Sequence, residues 1–253
     1  MFKVYQIFVL APVVFFASVF AGTTMAVMCP LTGWLKGLLP FSLGVFTRPD
    51  WWGSMASRLW ARSIIRASLL KVEVQGRENI ERGRSYIFAA NHQGAYDIFL
   101  VCGYLDAEIR WMMKRSLEKI PFLGIACRHA GYIFVDKGGA GVTRATYRKA
   151  EEALRGGASL MLFPEGARTW TGEMRPFKRG GFMLADELQL PVVPMTIDGS
   201  FQVLPRMNDG GFIRRHKLTL TIHKPLYPTC KGPENVARMM DECFKAIQGS
   251  VKH

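Results

Sequence analysis

The chain has 253 residues, 33 of them Lys or Arg against 20 Asp or Glu, a formal charge of +13, and 49% of its residues are apolar. That length holds one domain with a real core and some sequence left over, and the charge asks for an anionic partner. The apolar content favours a membrane over nucleic acid, and five scattered cysteines without a Cys-x-x-Cys pair fit neither a zinc site nor a disulfide framework.

Val4 to Val27 carries no charged residue and is long enough to span a hydrocarbon core. After Cys29-Pro30 a second apolar stretch, Leu31 to Phe46, reads as the returning arm of a re-entrant hairpin or as an interfacial helix. A cleaved secretory signal fits less well, because the apolar stretch continues past Val19-Phe20-Ala21. Lys36, Arg48, Arg58, Arg62, Arg66 and Lys71 follow the first stretch, and the positive-inside tendency then puts the main domain in the cytoplasm, whether that stretch spans or turns back. Trp51 to Leu70 reads as a helix with Arg58, Arg62 and Arg66 on one stripe. Two readings stand: arginines reaching lipid phosphates, or a helix packed on the core with its arginines in ordinary ion pairs.

From Lys71 short apolar runs alternate with helical stretches. Strands are expected at 72–74, 86–90, 109–113, 132–135, 159–163, 191–197 and 218–223, and helices at 98–104, 121–130, 142–154, 182–188 and 236–247. The expected fold is α/β: a mostly parallel sheet flanked by helices, with an N-terminal membrane-inserted helical segment. Residues 1–70 are assigned to the membrane-associated helices and 71–253 to the α/β domain.

The chemistry gathers where strands end. His92 and Asp97 stand five apart at a strand-to-helix junction. In one continuous helix they would point about 140° apart. They pair as a base and its orienting acid only if His92 precedes the helix and Asp97 lies in its first turns, with Asn91 as the cap. Phe163-Pro164-Glu165-Gly166-Ala167-Arg168 closes another strand, where Gly166 allows close backbone approach and Arg168 offers a fork for phosphate. Lys178 and Arg179 precede a helix, and each is read evenly as anion ligand or solvated charge. Lys114 is a further strand-end cation. Gly138 to Gly141 does not complete a dinucleotide fingerprint, and no serine-hydrolase elbow, phosphate loop or His-Glu-x-x-His appears.

The set runs His-x-x-x-x-Asp, then Gly131 to Asp136-Lys137, then Phe-Pro-Glu-Gly-x-Arg, then Val192-Val193-Pro194, over about residues 70 to 225. It resembles the glycerolipid acyltransferase family, specifically the bacterial-type 1-acylglycerol-3-phosphate acyltransferases. The resemblance implies transfer of a fatty acyl group from coenzyme A or acyl carrier protein to the free hydroxyl of lysophosphatidic acid, giving phosphatidic acid. It implies no cofactor and no metal, and membrane lipids but no nucleic acid as partners. Carried over by position, His92 is the general base and Asp97 its partner. Glu165 and Gly166 shape the acceptor site; Arg168, Lys137 and Lys114 hold the acceptor's phosphate; Val193 and Pro194 line the acyl or acceptor site. Three positions depart from the family's habit: Gly94 for serine, Lys137 for arginine and Ala167 for threonine.

Overall fold

The computed structural model describes residues 2–35, 49–120, 123–135, 144–155, 157–206 and 211–251. In chain order these form α1 (Phe2–Tyr5), a π-helical turn (Gln6–Leu10), α2 (Ala11–Leu35), α3 (Pro49–Ala67), β1 (Val72–Gln75), β2 (Ile87–Ala90), α4 (Tyr96–Tyr104) and β3 (Ile109–Lys114). Then follow α5 (Leu123–His129), β4 (Ile133–Val135), α6 (Arg144–Arg155), β5 (Ser159–Leu162), α7 (Gly180–Leu188), β6 (Val192–Asp198), α8 (Ser200–Val203), β7 (Leu218–Ile222) and α9 (Pro233–Gln248). Each strand and helix expected after Lys71 is present, with ends shifted by a few residues. Residues 36–46, Lys137 and Gly138 to Gly141 lie outside the described residues.

The seven strands form one sheet in the order β1-β7-β6-β2-β5-β3-β4. The five from β6 to β4 run parallel; β7 is antiparallel to β6, and β1 runs with β7. The apolar runs are continuous because both faces are covered. Phe88, Ala90, Met161, Val193, Met195 and Ile197 face a core closed by α3 and α4, whereas Ile87, Ala89, Leu160, Leu162 and Val192 face one closed by α6, α7 and α9. Burial of such side chains, about 1.5–3 kcal/mol each, holds the layers together.

Cys29-Pro30 does not end the first helix: it runs on to Leu35. One side of this N-terminal rod is seated on the domain. The buried Gln6 donates from Nε2 to the Ile213 carbonyl (2.9 Å) and accepts the Ile213 N–H on Oε1 (2.8 Å), Tyr5 bonds the Ala67 carbonyl (2.8 Å), and Trp60 Nε1 donates to Ser18 (2.9 Å). The other side presents Phe8, Phe15, Phe16 and Phe20, each more than 60% exposed. Phe2–Thr24 is long and apolar enough to cross a membrane.

The arginine stripe of α3 divides. Arg58 reaches Asp106 (3.7 Å) and the Ala107 carbonyl, and Arg62 donates to the Gly103 carbonyl (2.7 Å) and lies over Tyr104, so these two pair within the protein. Arg66 is exposed. Ala61, Ile64 and Ile65 are buried in the same cluster as Phe88 and Leu100, so part of 1–70 shares its core with the α/β layers.

Candidate active site

β2 and β5 are neighbours, and the chain leaves their carboxyl ends toward opposite faces: β2 feeds α4 on one side, β5 feeds α7 on the other. Such a divergence opens a crevice above the strand ends. His92 stands on one lip and Phe163 to Arg168 on the other.

The residue ahead of His92 is not a helix cap. Asn91 is fully buried and pairs with the backbone of β6, donating to the Ile197 carbonyl (2.8 Å) and accepting the Ile197 N–H (2.7 Å). A strand-end amide that mimics a peptide group extends the sheet's hydrogen bonding past Ala90, which the capping preference of asparagine conceals. α4 begins at Tyr96 without a side-chain cap, so His92 precedes the helix and Asp97 sits in its first turn. That is the arrangement the five-residue spacing requires. The His92 Nδ1 lies 2.7 Å from Asp97 Oδ2, and the same oxygen accepts the N–H groups of Gln93 (2.8 Å) and Gly94 (3.0 Å). Asp97 is wholly buried and the His92 side chain is 15% exposed, which leaves Nε2 as the nitrogen for chemistry.

Gly94 has a steric reason. A Cβ there would meet Ser200 Oγ at 2.5 Å, the Ser200 carbonyl at 2.6 Å and the Leu204 carbonyl at 3.0 Å. The α8 turn occupies the space that a serine would need.

Glu165 does not face the crevice. It is 2% exposed and accepts the His92 N–H on Oε1 (2.7 Å) and the Arg175 N–H on Oε2 (2.9 Å). Its role is to tie the histidine's backbone to the loop between β5 and α7. Burial pushes its carboxyl above the ordinary glutamate value, and the two backbone donors oppose that rise. The His92 carbonyl is held as well, by the N–H of the buried Thr169 (2.9 Å), a contact the sequence does not signal.

Gly166 adopts φ +74°, and a Cβ on it would lie 2.7 Å from Lys178 Nζ. Lys178, pinned by its N–H to the Pro164 carbonyl (2.9 Å), therefore lays its chain across the strand end. The half-buried Arg168 has no carboxylate partner among the described residues, and its carbonyl accepts from Arg206 (3.3 Å), whose guanidinium covers the Trp170 ring at 3.8 Å. Lys114 ends β3 at the same edge of the sheet. Lys137 lies outside the described residues.

Val193 and Pro194 do not reach the crevice. Both are buried inside β6, in register with Phe88 and Ala89 of β2, where they pack the sheet. Phe163, passed over as the flank of a motif, does reach it: its ring stacks on His92 with centroids 3.9 Å apart.

Comparison with known proteins identifies the family. The Acyltransferase family model matches residues 71–198. The 1-acyl-sn-glycerol-3-phosphate acyltransferase BAT2 of Brassica napus is 30% identical over 172 residues, covering 68% of this chain and 49% of that protein. The 1-acyl-sn-glycerol-3-phosphate acyltransferase of Saccharomyces cerevisiae is 34% identical over 161 residues, covering 62% and 52%. The chain thus spans about half the length of these curated relatives. The crystal structure of the 1-acyl-sn-glycerophosphate (LPA) acyltransferase PlsC from Thermotoga maritima superposes with a TM-score of 0.73 at 24% identity, covering 98% of this chain and 95% of that one, and so shares the fold. With the model matching from the first strand through β6, this chain belongs to the Acyltransferase family.

Proposed function

We propose that this protein transfers a fatty acyl group from a thioester of coenzyme A or acyl carrier protein to the free hydroxyl of 1-acylglycerol-3-phosphate, giving phosphatidic acid at a membrane surface. The observation that carries the proposal is the buried 2.7 Å contact between His92 and Asp97, set at the carboxyl end of a parallel strand. The names of the relatives favour this acceptor.

In this reading the acceptor hydroxyl gives its proton to His92 Nε2 as its oxygen attacks the thioester carbonyl. Asp97 holds the tautomer and faces the imidazolium that forms. Collapse of the tetrahedral intermediate expels the thiolate, which takes the proton back from His92. Arg168 and Lys178 supply positive charge for the acceptor's phosphate. The phenylalanine-rich outer side of α2 enters the lipid that holds the acceptor, and the Gln6 contacts keep that helix fixed to the domain.

Purified protein is to be given lysophosphatidic acid in mixed vesicles with palmitoyl-coenzyme A or palmitoyl acyl carrier protein. Phosphatidic acid is expected from the wild type and none above background from His92→Ala. Acylation of another lyso-lipid with no turnover of lysophosphatidic acid would replace the acceptor. Full activity in His92→Ala would remove the base.

A further inference from the structure

We propose that Phe163 is a positioning residue for His92, and that its ring face stabilises the imidazolium formed when His92 takes the acceptor's proton. The inference rests on His92 acting as the base, as proposed above.

The two rings are nearly parallel, 7° apart, with centroids 3.9 Å apart. Aromatic pairs ordinarily offset their rings or meet edge to face, with centroids about 4.5–7 Å apart, because two negative π faces repel. Trp111 shows the ordinary case on the same phenylalanine: 5.6 Å and 35°. The His92–Phe163 pair is closer and flatter than that range, a contact worth less for two neutral rings than for a ring and a cation. It is favourable for a cation over a benzene face. Proton transfer to His92 converts the first situation into the second, so the contact is stronger at the transition state than in the resting enzyme. Such an interaction lowers the barrier without tightening substrate binding.

The geometry is built in from both sides. Asp97 fixes the imidazole through Nδ1, and Glu165 and Thr169 fix its backbone. Phe163 is held by its carbonyl, which accepts the Gly166 N–H at 3.0 Å, and by Trp111 against its ring. One constraint sets the imidazole's edge, the other its plane. Together they leave Nε2 a single direction.

Substituting position 163 with phenylalanines bearing one, two and three ring fluorines tests this. Fluorine weakens the negative face progressively while changing ring size little. The expected result is a stepwise fall in kcat, reaching roughly 3- to 30-fold at three fluorines, with KM for both substrates and the melting temperature unchanged. Phe163→Leu is expected to fall at least as far. A flat kcat across the fluorine series, or a loss confined to KM, overturns the role of Phe163. Full activity in His92→Ala would overturn the base itself, so the two failures are separable.

Discussion

Replacing Asp97 by Asn is the sharpest test of the paired histidine and carboxylate. Asp97 Oδ2 takes three donors, whereas no partner reaches its buried Oδ1 among the described residues. An asparagine can therefore keep its carbonyl oxygen toward His92, Gln93 and Gly94 and turn its amide toward the unpartnered side. The fold survives, at a cost of about 1–3 kcal/mol for an unsatisfied buried amide. What disappears is the charge opposite the imidazolium. At the observed 2.7 Å, and with an effective dielectric near 20, that attraction is about 6 kcal/mol, of which the amide dipole keeps a part. Losing about 3–5 kcal/mol from the transition state alone predicts a kcat lower by about 10²–10⁴. KM for lysophosphatidic acid and for the thioester should hold. Phosphatidic acid formation by chromatography, with a thermal melt to confirm folding, reads both. A folded Asp97→Asn enzyme with kcat within threefold of wild type would refute the argument. Asp97→Ala is the weaker test, because it leaves three donors without an acceptor and threatens the fold.

Other expectations follow from the same contacts. Gly94→Ala should cost about 1–3 kcal/mol by overpacking, seen in denaturant titration, because the new methyl meets two carbonyls of the α8 turn at 3.0 Å or less; an unchanged midpoint would show that this turn yields freely. Glu165 carries a carboxyl raised by burial, so the folded state holds its proton to higher pH than the unfolded chain does. Its contribution is therefore fully present below the unfolded value and lost as pH rises through the folded one. Glu165→Gln should remove that part of the pH dependence in melts taken upward from the ordinary glutamate value (about 4.3), and should lower kcat because an amide N–H then faces a backbone donor. Burial pushes the thiols of Cys102 and Cys127 up to about 12 and about 11, and Cys243 is buried as well, whereas Cys230 is exposed. Iodoacetamide at pH 8 should accordingly modify Cys230 well before Cys102, Cys127 and Cys243; equal rates in the native protein would contradict the packing.

The sheet was legible because each central strand is apolar on both faces, so Tyr86 to Ala90 and Pro191 to Ile197 stand out as unbroken runs. The His92–Asp97 geometry was legible too, since the five-residue spacing permits only one productive arrangement. What the sequence hid are contacts made across great chain distance. Asn91 carries a helix-capping side chain yet spends it on Ile197, 106 residues away, and Gln6 hides in an apolar run until it meets Ile213, 207 residues away. Direction was hidden as well. A glutamate at a strand end can face ligand or backbone, and only the folded loop shows that Glu165 turns inward to hold His92. Val193 and Pro194 belong to a recognisable block because β6 must fit beside β2, a packing demand that leaves the same trace in sequence as contact with a substrate.

That distinction reorganises the site. The two blocks that meet at the crevice are separated by some seventy residues, yet nearly every joint between them is a backbone contact of His92 or a ring contact with it. Glu165 takes its N–H, Thr169 gives to its carbonyl, and Phe163 covers its ring. The segment from Phe163 to Thr169 therefore holds His92 through Phe163, Glu165 and Thr169, while Arg168 is the residue proposed above for the acceptor's phosphate. Phe163 to Gly166 form a tight turn at the end of β5, closed by the Gly166 N–H on the Phe163 carbonyl (3.0 Å), with Gly166 at φ +74°. Substitutions in the first group should lower kcat with KM kept, and Arg168→Ala should raise KM for lysophosphatidic acid by about 10- to 100-fold, as expected for the loss of a charge-assisted contact worth 1.5–3 kcal/mol. If Arg168→Ala instead lowered kcat alone, the division of this segment into base-holding and ligand-holding residues would be wrong.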